Sequence, residues 1–124
     1  MTRPIRIDKV RKERMTTEAY RASLPESTIQ DAIMGATLRH GWRRVHFRPA
    51  RTERGWRTAY EGDDGFPDVV AVRGDRIVVI ECKAVGKRPT QAQADWLAAF
   101  TGTGKAEVYV LTPADLDRVE EMFR

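Results

Sequence analysis

Two apolar runs joined by Gly74-Asp75 constrain this chain more than any other feature. Residues 68–73 (Asp-Val-Val-Ala-Val-Arg) and 76–81 (Arg-Ile-Val-Val-Ile-Glu) are dominated by β-branched side chains. Glycine followed by an acid between such runs signals a two-residue hairpin with a type II′ turn. With the turn at 74–75, Arg73 faces Arg76. Counting outward pairs Val72 with Ile77, Ala71 with Val78, Val70 with Val79, Val69 with Ile80 and Asp68 with Glu81. Every inner pair is apolar on both sides, which favours this register over a slip by one residue. Both strands are apolar on both faces, so they belong at the centre of a sheet with helices on either side.

The same register sets two carboxylates opposite each other, with Cβ atoms roughly 4.5–5.5 Å apart. Facing like charges destabilise a sheet, so something should compensate Asp68 and Glu81. A hard divalent cation is the natural candidate, because Mg²⁺ is commonly held by one or two carboxylates, with water and substrate phosphate completing its shell. Lys83 lies two residues beyond Glu81, and strand alternation returns it to the same face. There an ammonium can position or help deprotonate an attacking water and screen the charge that develops on a phosphate. The plainer alternative makes Asp68 a turn residue after Pro67, and Glu81 and Lys83 ordinary polar residues at a strand end. Glu-x-Lys alone carries little; Pro-Asp and Glu-x-Lys on the two arms of one hairpin carry more.

Elsewhere the pattern supplies the rest of an α/β layer. Ser23-Leu24-Pro25-Glu26 reads as a capping box opening a helix near Leu24, with Ile29, Ile33 and Ala36 on its inner face and Gly41 as its stop. Residues 42–48 read as a strand, and residues 49–65 as a loop or irregular hairpin. A second helix is expected over 90–101 with Trp96, Leu97 and Phe100 inward, then a strand over Ala106–Leu111. Thr112-Pro113 opens a closing helix that buries Leu116, Val119 and Phe123. The order α-β-β-β-α-β-α predicts a mixed central sheet flanked by helices. The 124 residues suffice for one domain over 23–124, preceded by a basic arm or short helix over 1–22 that holds seven Lys or Arg.

Charge is unevenly spread. Seven arginines (Arg39, Arg43, Arg44, Arg48, Arg51, Arg54 and Arg57) stand against Glu53 alone, whereas residues 107–124 hold five acids and two arginines. Arginine forks suit phosphate, and Trp42, Phe47 and Trp56 among them could stack on bases. The alternative is a solvated strand pair whose aromatics face the core. Lys87 extends the candidate nucleic-acid contacts. His40 and His46 suggest core-edge or phosphate contacts rather than a metal pair. The lone Cys82 excludes an intramolecular disulfide and a multi-cysteine zinc site, and it alternates away from Glu81 as a small buried hydrophobe. No run has the eighteen or so apolar residues of a membrane helix and no apolar segment follows the basic N-terminus, so a cytoplasmic protein is expected.

Gly65-Phe66-Pro67-Asp68, Ile80-Glu81-Cys82-Lys83 and Thr90-Gln91-Ala92-Gln93 with Trp96-Leu97, together with Glu26 and Gln30 on the first helix, resemble the VRR-NUC family of PD-(D/E)xK nucleases. The resemblance covers about residues 24–123, apart from 49–65. It implies a restriction-endonuclease-like core and an Mg²⁺- or Mn²⁺-dependent endonuclease whose cut leaves a 5′ phosphate. It also implies branched DNA, a four-way junction or flap, as substrate, and with a junction a homodimer. By the same resemblance Asp68, Glu81 and the carbonyl of Cys82 are metal ligands, Lys83 is the catalytic lysine, and Glu26 bears on the metal or its water. Gln93 stands near the active site. Helix capping competes for both Glu26 and Gln93, and Asp63 and Asp64 are weaker metal candidates. A restriction-like or single-strand nuclease, a catalytically dead DNA-binding or scaffolding domain, and an RNA substrate are the alternatives.

Overall fold

A computed structural model describes residues 16–47, 50–53, 55–57 and 60–124, the segments 50–52 and 55–57 by their backbone. In chain order the elements are helices α1 (Thr17–Ala22) and α2 (Glu26–Arg39), strands β1 (Arg43–His46), β2 (Ala50–Thr52), β3 (Gly55–Arg57), β4 (Val69–Arg73) and β5 (Arg76–Cys82), helix α3 (Gln91–Gly102), strand β6 (Ala106–Leu111), a 3₁₀ turn (Pro113–Asp115) and helix α4 (Leu116–Phe123). The order contains the expected α-β-β-β-α-β-α and adds α1 and the small antiparallel β2–β3 pair, which occupies part of the stretch read as a loop or hairpin.

The main sheet is mixed, in the order β1-β4-β5-β6, with β5 and β6 parallel and the other neighbours antiparallel. The hairpin has the counted register, from Val69 opposite Ile80 to Arg73 opposite Arg76. Gly74 has φ 61° and no described residue other than glycine has a positive φ, which matches a turn that needs its left-handed residue first. β4 and β5 are central, as their composition predicts.

Cover on the two faces is unequal. Ile29, Ile33 and Ala36 of α2 and Val119 and Phe123 of α4 pack with Val69, Ala71, Val78, Ile80, Cys82 and Leu111 into one buried cluster. Helix α3 crosses from β5 to β6 over the other face, where Val79 and Leu97 are buried. Helices thus flank both faces as expected, although α3 leaves Val45, Val72 and Val110 exposed, so its cover is partial. The strands are apolar on both faces all the same, because β-branched side chains also serve a half-covered sheet.

The capping box expected at Ser23–Glu26 does not form. Residues 17–22 are already helical, and Ser23 ends that helix, its hydroxyl donating to the carbonyl of Tyr20 at 2.6 Å. Pro25 is the N-cap of α2 without a side-chain cap, so Glu26 stands at the first helical position with its carboxylate released from that duty. The acidic C-terminal stretch answers basic residues from elsewhere: Asp117 binds Arg21 at 2.7 Å, Glu120 binds Arg39 at 2.7 Å, and Glu107 takes both arms of Arg76 at 2.8 Å. These pairs tie α1, α2 and β5 to the chain's end. Among the described residues no helix is long and apolar enough to cross a membrane.

Candidate active site

The open end of the hairpin, away from Gly74, gathers the predicted acids. Asp68 immediately precedes β4 and accepts the Cys82 N–H on Oδ2 at 2.8 Å, while its own carbonyl accepts the Phe47 N–H at 3.1 Å. These bonds lock it to both neighbouring strands. Glu81 is 1% exposed. Its Oε1 lies 3.7 Å from Lys83 Nζ, and its Oε2 is buried with no hydrogen-bond partner among the described residues. Burial first, then the neighbouring Asp68 carboxylate, push the Glu81 carboxyl from its ordinary 4.5 up to about 8, with Lys83 opposing. Such a shift states how unfavourable a second negative charge is at this spot. Lys83 continues the β5–β6 ladder through its N–H to the Leu111 carbonyl at 2.9 Å, which returns its side chain to the Glu81 side.

Glu26 comes from the start of α2. Its carboxyl is raised by burial and then by Asp68, and lowered by Lys83, so it feels the same charges. Gln30 Nε2 reaches its Oε2 at 3.4 Å. Among the described residues, no three Asp, Glu, His or Cys side chains form a ready cage for a metal. The donor set is a facing pair with Glu26 near it. Such a pair still fits a cation that keeps several waters, and the orphaned Oε2 of Glu81 is the observation in favour, since an unpartnered buried carboxylate oxygen costs on the order of 1–3 kcal/mol or more.

Gln93 is held as a cap. The Thr90 hydroxyl accepts the Gln93 N–H at 3.3 Å, and Gln93 Oε1 accepts the Thr90 N–H at 2.8 Å, which completes the box opening α3. Cys82 is fully buried in the core, where burial pushes its thiol well above the usual range, so it is no nucleophile. Asp63 and Asp64 are exposed; the Asp63 carbonyl accepts Trp96 Nε1 at 3.3 Å, and Asp64 accepts the Tyr60 hydroxyl.

The arginines divide. Arg39 is engaged by Glu120, which also meets His40 Nε2 at 2.5 Å, and Arg43 and Lys87 are exposed. Arg44 and His46, on one face of β1, each bury a nitrogen without a partner among the described residues. Arg48 and Arg54 lie outside the described residues, as do the side chains of Arg51, Arg57 and Trp56. Trp42 is no stacking platform: it is 4% exposed, edge-on to Phe123, its Nε1 donates to the Phe123 carbonyl at 2.8 Å, and Arg73 and Arg76 cover its ring at 4.6 and 4.8 Å.

Two features escape sequence reading. Gly65, at φ 89°, lies so near α3 that an added Cβ would sit 2.5 Å from the Ala92 carbonyl carbon and 2.6 Å from the Gln93 nitrogen. A glycine three residues before the acid hints at such an approach without naming its partner. We predict that Gly65→Ala costs about 2–4 kcal/mol, a left-handed penalty plus a clash with rigid backbone. Gly74→Ala, in open space at φ 61°, should cost only about 1–2 kcal/mol. Equal losses in chemical denaturation would refute the close approach. The second feature is a cavity of about 570 Å³ beside Asp68, walled by Phe47, Tyr60, Phe66 and Trp96. Those rings come from segments far apart in the chain.

Compared with known proteins, the chain matches no family model and no curated relative.

Proposed function

We propose that this chain is a divalent-metal-dependent DNA endonuclease of the PD-(D/E)xK kind, with Asp68, Glu81 and Lys83 as its centre and a VRR-NUC-like motif order. One observation carries the reading: a buried glutamate faces an aspartate across a hairpin, with one oxygen left unpartnered and a lysine beside the other. A fold built for stability alone has little use for that arrangement.

Asp68 and Glu81, with the carbonyl of Cys82, would hold Mg²⁺ or Mn²⁺. When bound, the ion supplies positive charge against the phosphate and makes a bound water more acidic. The chain's own residues do the rest. The Cys82 N–H fixes the orientation of Asp68. Glu81 holds the Lys83 ammonium near the acids, where it screens charge growing on the non-bridging oxygens as water adds to phosphorus. Glu26, already biased toward protonation, can take the proton that water gives up. The bond to the 3′ oxygen breaks, the leaving oxygen takes a proton from solvent, and a 5′ phosphate remains. Arg43, Arg44 and Lys87 provide candidate backbone contacts. A four-way junction or flap is the proposed substrate, and resolving a junction would require a homodimer.

Thermal unfolding with Mg²⁺, Mn²⁺ and chelator, run beside cleavage of four-way, flap, single-stranded and linear DNA, tests the proposal. Metal at tens of Kd should stabilise the fold by about 2 kcal/mol, and at least one substrate should be cut in a chelator-sensitive way. DNA binding with neither effect would instead mark a catalytically dead binding module.

A further inference from the structure

We propose that the aromatic cavity beside Asp68 receives one unstacked nucleobase of the strand being cut, next to the scissile phosphate. The inference rests on the nuclease reading and names the part of the substrate that this reading leaves open.

The cavity is bounded by Phe47, Tyr60, Phe66 and Trp96, with Asp68 in its wall. Its volume of about 570 Å³ falls within the roughly 300–1,000 Å³ of small-molecule sites. The rings buttress one another: Phe47 meets Phe66 edge-on at 5.5 Å, and Phe66 meets Trp96 at 4.9 Å and Phe100 at 6.1 Å. Phe47, Tyr60 and Phe66 nevertheless stay 45%, 59% and 41% exposed. Phe47 and Phe66, wedged against neighbouring rings yet left open to solvent, give a stacking partner at little ordering cost.

Charge selects the part of the nucleotide that enters. Glu61 and Asp63 line the cavity beside Asp68. Three acids repel a phosphate, and they accept hydrogen bonds from exocyclic amino groups and ring N–H groups. The phosphate therefore belongs outside, on the side of Lys83, and the base inside. Asp68 belongs to both sites, so base and scissile linkage lie within one nucleotide of each other. A base inside a regular duplex cannot enter without being unpaired, at a cost of a few kcal/mol. Frayed ends, flap bases and junction points present one already unstacked, so the proposal predicts a preference for irregular DNA.

Equilibrium binding of short labelled single strands, with Ca²⁺ in place of Mg²⁺, tests this when an abasic site is walked along the strand. One position should exist where removing the base weakens wild-type binding roughly tenfold, as loss of a base–aromatic stack does. Phe47→Leu should erase that difference, and Phe47→Tyr should keep it. A purely structural role for Phe47 would weaken base-bearing and abasic strands alike. If every abasic position is tolerated within twofold while Mg²⁺-dependent cleavage persists, the cavity proposal is overturned and the nuclease reading stands. If the protein binds no single strand yet cuts flap or four-way DNA, the cavity proposal alone is overturned; if it neither binds nor cuts any of these substrates, both fall.

Discussion

Lys83→Ala should lower single-turnover cleavage by about 10²–10³-fold or more, the range lost when one preorganised positive donor is removed from a developing oxyanion, and change DNA affinity by less than threefold. The lysine is set apart from the exposed cations: its side chain is 15% exposed and stands 3.7 Å from Glu81, so it is aimed at the acids rather than at a DNA backbone passing outside. Its removal also withdraws a charge that holds the Glu81 carboxyl down. The Glu81 proton should then persist to higher pH, and metal-induced stabilisation should need more alkaline conditions. The fold should survive, because the ladder uses the Lys83 backbone N–H, which alanine keeps. A fall in rate without a fall in binding is the signature of a group acting in the transition state. Turnover within tenfold of wild type would remove Lys83 from the chemistry.

The half of the molecule that holds the candidate site was legible because a single count fixes it. With the Gly74-Asp75 turn placed, apolar pairs between 69 and 80 admit one register, and alternation delivers Asp68, Glu81, Lys83 and the buried Cys82 to their sides. Capping boxes were legible only in part, since they are local motifs open to local competition. Thr90 and Gln93 close one, whereas Ser23 is drawn into the end of α1 and leaves Glu26 without a capping role. The aromatic cavity depends on Phe47, Phe66 and Trp96 meeting in space, a long-range fact that no periodicity encodes. Trp42 shows the same limit from the other side. Its arginine-rich neighbourhood suggested nucleic acid, yet Arg73 and Arg76 arrive from the hairpin to cover it as part of the core edge.

Asp68→Asn should abolish metal-dependent stabilisation and still leave the metal-free protein as stable as wild type or more so, by on the order of 1–3 kcal/mol at pH 8. The asparagine oxygen can accept the Cys82 N–H that Asp68 Oδ2 accepts now, and its amide can donate to the neighbouring carboxylate. The substitution therefore keeps the local bond and removes the repulsion. The pH dependence gives the sign. The Glu81 carboxyl lies at about 8 in the fold against an ordinary 4.5, so the folded protein holds a proton that the unfolded chain has lost. Stability from that proton is complete below about 4.5 and drains away as pH rises toward about 8. Metal-free wild type should thus weaken across this window, while the gain from Mg²⁺ should grow, because cation and proton compete for one carboxylate pair. In Asp68→Asn the window should narrow and shift to lower pH, since the charge of Asp68 is one of the causes that raise Glu81. Unfolding curves with chelator at several pH values read this directly. A variant clearly less stable than wild type at pH 8 would mean that the two carboxyl groups do not oppose each other, and the proposed metal pair would go with them.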